Sequence, residues 1–290
     1  MRHSARLSAN PIGPGSSPGT AGPAVLPGSA GSRWINRQAL AFAVSVFAKL
    51  LILVLGLLPI HILASCALFA LPDLWILSGL LVPNTTCLMP MARRFVTAQN
   101  EVWLTIDDGP EPATTPRMLD LLDRFSAKAT FFVIGEKARA HPALIREMLR
   151  RGHTLGNHTQ THPVGTFWLA GRLRTCREID ACDEALRSAG VDHGAWFRPP
   201  VGIRTLFLRR ALAERERVLV GWSARGREQF SRDPKVPLRR LQRKVRPGAI
   251  LLLHESATQA EQRIALLVGL LEHLTKIGYR CVLPERSALA

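Results

Sequence analysis

Two adjacent carboxylates, Asp107 and Asp108, end an apolar run in Thr105-Ile106-Asp107-Asp108-Gly109-Pro110. Bringing two ionised carboxylates together at the end of a strand is costly unless a cation neutralises one of them. The hexapeptide alone reads equally well as a turn with a capping Asp, since Gly109-Pro110 must turn the chain away. A second cluster, Gly156-Asn157-His158-Thr159-Gln160-Thr161-His162-Pro163, adds two imidazoles four residues apart. If the residues between them are helical, both rings share a face and reach one ion. One carboxylate oxygen and two imidazole nitrogens, with positions left for water and substrate, describe a catalytic metal site rather than a structural one. Such a set accepts zinc foremost, with cobalt, nickel or iron as alternatives.

Three more pieces follow in the chain. Phe197-Arg198-Pro199-Pro200-Val201-Gly202 offers an Arg to clamp a carboxylate, on a loop stiffened by two prolines. Trp222 supplies an aromatic wall, and Leu251-Leu252-Leu253-His254-Glu255 carries an imidazole out of an apolar strand, placed to act as a general acid.

Chemistry drawn from such distant segments needs a scaffold that gathers strand ends at one face. Short β-branched or apolar runs at Val102–Ile106, Thr130–Ile134, Thr154–Gly156, Ala195–Phe197, Val218–Trp222, Ala249–Leu253 and Tyr279–Leu283 read as strands. Helical patterns fall between them, at Pro116–Phe125, Pro142–Arg151, Leu173–Ala189 and Gln259–Ile277. This alternation predicts an α/β fold, a distorted (β/α)7 barrel over 95–290, with its chemistry at the C-terminal ends of the strands.

Ahead of that domain, residues 1–38 are rich in Gly, Pro and Ser and predict disorder. Residues 39–90 are almost wholly apolar and carry only Lys49 and Asp73 as charges. They predict one or two transmembrane helices, either a hairpin or one span followed by an interfacial segment, and hence a membrane location. A cleaved signal peptide fits poorly, because the apolar stretch starts late and runs too long. The net charge is +16, of which +12 falls in the last 200 residues, so an anionic neighbour such as phospholipid or a lipid-linked substrate is expected. Nucleic acid is disfavoured: the arginines are scattered and a single Tyr is available for base stacking. Five cysteines without a CxxC pair imply no disulfide framework.

Taken together and in this order, TIDDGP, HTQTH, RPPVG and LLH resemble the motifs of the polysaccharide deacetylase family, also called NodB-homology or carbohydrate esterase family 4. The resemblance spans roughly Glu101–Leu283. It implies that the chain is a hydrolase removing acetyl from the nitrogen of an amino sugar. It further implies that Asp107 is the catalytic base and that Arg198 tethers it. Asp108, His158 and His162 would hold the metal, and His254 would be the acid. The Val201 backbone N–H would receive the oxyanion, and Leu252 would line the acyl pocket beside Trp222. The fourth motif departs from the family pattern. In Trp222-Ser223-Ala224-Arg225-Gly226-Arg227-Glu228-Gln229, Glu228 stands where the family has Asp, Gln229 replaces Trp, and Arg225 replaces an earlier Asp. Glu228 is expected to orient His254, at a reach one methylene longer. The altered motif leaves an alternative, a metal-holding carbohydrate-binding protein with weak or no catalysis.

Overall fold

The computed structural model describes residues 40, 43–51, 62–191 and 195–289. Its elements in chain order begin with α1 (Ile62–Leu81), β1 (Glu101–Gly109), α2 (Thr115–Arg124), β2 (Ala129–Val133), α3 (Gly135–Ala140), α4 (Pro142–Arg150) and β3 (Thr154–Asn157). There follow α5 (Arg172–Ser188), β4 (Trp196–Phe197), α6 (Leu208–Ala213), β5 (Val218–Leu219), β6 (Ala224–Arg225), α7 (Lys235–Gln242), β7 (Ala249–His254), α8 (Ala260–Lys276) and β8 (Arg280–Cys281). The strands form one sheet in the order β5-β4-β3-β2-β1-β7-β6, with β8 also paired to β1, and every pairing is parallel.

β5 and β6 stand at opposite ends of this order, yet only residues 220–223 lie between them. The sheet must therefore curl until its two edges nearly meet. At the seam Val220 bridges Ala92, the Gly221 N–H donates to the Ala92 carbonyl, and the Ser223 N–H donates to the Ile250 carbonyl. Seven strands were expected, with Val218–Trp222 as one of them. Eight form, because the segment that crosses the seam makes a short strand on each side of it.

Within the strands, the period of two sorts residues between two cores. Val102, Leu104 and Ile106 of β1 face outward with Ala249, Leu251 and Leu253 of β7, packing under the helices. Trp103 of β1 and Ile250 and Leu252 of β7 face inward with Phe132, Trp196 and Trp222. The Trp103 indole N–H donates to Thr130 Oγ1 at 2.7 Å, which satisfies the polar atom of that buried ring. Continued one step, the inward rows Trp103-Thr105-Asp107 and Ile250-Leu252-His254 deliver a carboxylate and an imidazole to the mouth. Asp107 and His254 are direct register partners there.

No helix among the described residues is long and apolar enough to cross a membrane, so the expected one or two spans over 39–90 are not found among them. Residues 41–42 and 52–61 of that stretch lie outside the described residues. Within α1, Pro72 and Asp73 sit mid-helix, and Asp73 is paired with Lys49 Nζ at 2.8 Å and Ser45 Oγ at 3.2 Å from helical residues 43–51. Among the described residues, Cys176, Cys182 and Cys281 form no disulfide.

One buried titratable group makes the fold pH-sensitive. His153 Nδ1 accepts the Ala129 N–H at 3.2 Å, so protonating it breaks that bond. Burial first, then the Lys128 ammonium, holds its pKa at about 4. The unfolded imidazole, near 6.5, takes its proton first, so stability is full above that value and falls as pH drops toward 4. This group accounts for a loss of up to about 3 kcal/mol over that window. In denaturant titrations at pH 7 and pH 4.5, His153→Asn, whose Oδ1 can replace the acceptor, should show a visibly shallower loss than the parent chain. Identical slopes would remove His153 as the cause.

Candidate active site and metal centre

β1 does not stay regular to its end. Its register with β2 shifts between Asp107 and Gly109, and Asp108 takes a left-handed φ of 73°. In a regular strand consecutive side chains point to opposite faces. The bulge lets both carboxylates face the mouth. Lys137 Nζ donates to the Asp108 carbonyl at 2.8 Å and fixes the bulged peptide.

Asp107 is held from behind by Arg198, a fully buried guanidinium. Its Nη1 donates to Asp107 Oδ1 at 2.6 Å and to Thr105 Oγ1 at 2.9 Å. Its Nε donates to the Val220 carbonyl at 3.1 Å and its Nη2 to the Gly221 carbonyl at 2.7 Å, with the Phe132 ring 4.1 Å away. A cation buried this deeply survives only when its donors are filled, and here carbonyls of the seam fill two of them. Burial lowers the pKa of Arg198, and Asp107 opposes that shift.

Asp108 Oδ1 lies 3.4 Å from His158 Nε2 and 3.2 Å from His162 Nε2, and the two rings are 4.9 Å apart. One ligand atom from each of the three residues falls within 4.8 Å of the others, a set able to hold one ion. Asp108 Oδ1 is buried and has no hydrogen-bond partner among the described residues, which suits an atom that completes its valence with a cation. His158 Nδ1 donates to the Arg198 carbonyl at 2.7 Å, leaving Nε2 with a free lone pair toward Asp108. Burial, then the neighbouring His158, holds His162 at about 4, so its imidazole is neutral through the physiological range. Burial raises the Asp108 pKa, but the imidazoles of His158, His254 and His162, when protonated, bring it well below the usual carboxylate range.

The spacing of the two histidines is not helical. Residues 158–162 form an irregular loop in which Thr159 (φ 69°) and His162 (φ 52°) are left-handed. Sequence reasoning missed what shapes it. Asn157 Oδ1 accepts the Thr159 N–H at 2.8 Å, while Glu178 on α5 accepts the N–H groups of Gln160 and Thr161 and the Thr161 hydroxyl at 2.7–3.0 Å. A single buried carboxylate thus replaces the helix as the device that turns both rings the same way. No local signal marks Glu178, which sits in a charged helix.

Across the mouth, His254 Nδ1 lies 2.8 Å from Glu228 Oε1, so the side chain in the family's Asp slot does reach the imidazole. Arg263 on α8 backs the pair, with Nη1 3.6 Å from Glu228 Oε1, and its role was also missed. Glu255, next to His254, turns away instead. It accepts hydrogen bonds from Thr114 and Thr115 at 2.9 and 2.5 Å, and burial pushes its pKa up to about 7.

These groups surround a cavity of about 70 Å³ lined by Asp107, Asp108, His158, His162, Val201, Trp222, Leu252 and His254. The altered fourth motif faces the same space through Arg225 and Gln229. Val201 is held at φ 49°, ψ 13°, a conformation costly for a β-branched residue, and such strain concentrates at functional loops.

Residues 96–216 match the model of the polysaccharide deacetylase family. The chain is 33% identical over 182 residues to the peptidoglycan-N-acetylglucosamine deacetylase of Bacillus cereus, covering 62% of this chain and 84% of that protein. The chain belongs to the polysaccharide deacetylase family. A second relative within the family, the chitooligosaccharide deacetylase of Sinorhizobium fredii, is 34% identical over 197 residues, covering 63% of this chain and 89% of that one. Among solved structures, the family 4 carbohydrate esterase of Streptomyces lividans in complex with acetate superposes with a TM-score of 0.60 at 25% identity, covering 67% of this chain and 98% of that one. As a polysaccharide deacetylase the chain is a hydrolase, and the matched region contains the first three motifs quoted from the sequence.

Proposed function

We propose that this chain is a metal-dependent hydrolase that removes acetyl from the nitrogen of an acetylated amino sugar, in an envelope polysaccharide, an oligosaccharide or a lipid-linked glycan. The observation that carries this reading is the convergence on one small cavity of an Arg-tethered carboxylate, an Asp-His-His donor set and a Glu-backed imidazole. The deacetylase names of the Bacillus cereus and Sinorhizobium fredii relatives support the choice of an acetamido group.

Asp108, His158 and His162 would hold the cation, which supplies a Lewis acid for the amide carbonyl and acidifies water when bound. Asp107 takes the proton of the attacking water. Arg198 occupies Asp107 Oδ1 and keeps the carboxylate aimed, which leaves Oδ2 for the proton. The backbone N–H of Val201 is the donor for the developing oxyanion, and its strained conformation fits a role that fixes direction. His254, steadied at Nδ1 by Glu228, delivers a proton from Nε2 to the departing amine, which is a poor leaving group until protonated. Leu252 forms the apolar floor for the acetyl methyl, and Trp222 walls the sugar.

The same reading puts the chain at a membrane surface. Its support is the set of exposed apolar side chains Phe47, Leu50, Leu71, Leu74 and Trp75 on residues 43–51 and α1, together with a strongly basic domain.

Incubated with acetylated chitooligosaccharides and a divalent metal, the full chain should release acetate and leave a free amine on the sugar. Absence of acetate from these and from acetylated peptidoglycan would leave the metal-holding, non-catalytic alternative in its place.

A further inference from the structure

A second depression, of about 350 Å³, shares Trp222 as a wall with the catalytic cavity and is lined besides by Asn84, Arg93, Arg94, Ser223 and Arg246. No acid lines it. Arg93 and Arg246 are exposed, and their side chains make no hydrogen bond or ion pair among the described residues; Arg94 donates only to the Pro247 carbonyl, at 3.1 Å. On the catalytic side of the same Trp222, the Arg225 guanidinium lies 5.4 Å from the ring centroid, again without an ion pair among the described residues. Some arginines elsewhere in this domain are taken up by carboxylates, as Arg151 is by Asp120 and Asp123 and Arg215 by Asp180. Cations brought together without a counter-charge repel, so the cluster carries an electrostatic cost that an anionic ligand would relieve.

The groove also adjoins the stretch that follows α1. α1 ends at Leu81, and the chain runs directly into Asn84, which brackets Trp222 by donating to its carbonyl at 2.7 Å and accepting its N–H at 3.0 Å. Arg204 fixes this passage by donating to the Val82 and Thr85 carbonyls. Trp222 thus separates the catalytic cavity from a guanidinium-lined groove that Asn84 also lines.

We propose that this groove binds a phosphodiester or diphosphate attached to the acetamido sugar whose acetyl group enters the catalytic cavity. The inference rests on the hydrolase reading above and narrows its substrate to a phosphate-bearing glycan. Several guanidinium forks suit a group with several acceptor oxygens and up to two charges better than a lone carboxylate.

The test compares three substrates: N-acetylglucosamine joined through diphosphate to a short isoprenol, the same sugar diphosphate as its methyl ester, and the neutral methyl glycoside. The parent chain should favour both diphosphates over the glycoside by at least about tenfold in kcat/KM, and R93A/R246A should abolish most of that ratio through KM. Both replaced side chains are exposed and unpaired, so the variant should fold; calorimetric binding of the methyl diphosphate, weakened in step, reads the groove apart from turnover. Equal preference for the methyl and isoprenyl esters would mean that phosphate alone is recognised, and a further gain for the isoprenyl ester that a lipid tail adds to it. A preference that survives in R93A/R246A, or none over the neutral glycoside, overturns the groove while leaving the hydrolase intact. Absence of acetate from all three strikes at the hydrolase reading, and in that case the calorimetry still decides the groove.

Discussion

Replacing Asp107 with Asn should lower acetate release by a factor on the order of a thousand while leaving KM for the sugar within a few-fold, since a positioned general base is worth about 10²–10⁴. The substitution keeps the size of the side chain and lets its amide oxygen go on accepting from Arg198 Nη1. What it removes is the second carboxylate oxygen, with its capacity to take a proton. The fold should therefore survive, although a buried guanidinium left beside a neutral partner costs some stability. Near-parental turnover by Asp107→Asn would assign the proton to another group, with His254, its register partner across the mouth, the next to examine.

The second large effect is expected from the donor set. His158→Ala removes a ring that donates from Nδ1 to the Arg198 carbonyl and faces Asp108 through Nε2. Losing one of three protein donors should weaken metal binding by at least about a hundredfold and lower activity at limiting metal to a similar extent, with partial recovery when metal is raised. Asp107→Asn, whose defect is in proton transfer, should not recover in this way. Recovery of both variants, or of neither, would contradict the division of labour between the two adjacent aspartates.

The readable and unreadable parts of the site divide along physical lines. Asp107 and His254 were legible because a strand's period of two carries an inward row straight to the mouth. Their pairing across β1 and β7 follows from register alone. The two histidines were legible by spacing, but for a reason the structure replaces: helical phase is absent, and the left-handed Thr159 and His162 are set by Asn157 and Glu178. Glu178 lies 17 residues from Thr161 in sequence, and a contact made only by folding leaves no local pattern. The same holds for Arg263 behind Glu228. The seam between β5 and β6 escaped notice because two-residue strands carry too few side chains to show alternation. In the apolar N-terminal stretch, composition suggested spans; among the described residues Lys49 pairs with Asp73 and several apolar side chains are exposed.

The account rests on one cation shared by Asp108, His158 and His162, and metal content measures this directly. The full chain, purified, loaded with zinc and freed of loosely bound ions, should carry about one ion per molecule by elemental analysis, and the D108N/H158Q/H162Q variant well under a tenth of one. Equal zinc in the two proteins, or none in the parent chain under conditions where it is folded, would contradict it.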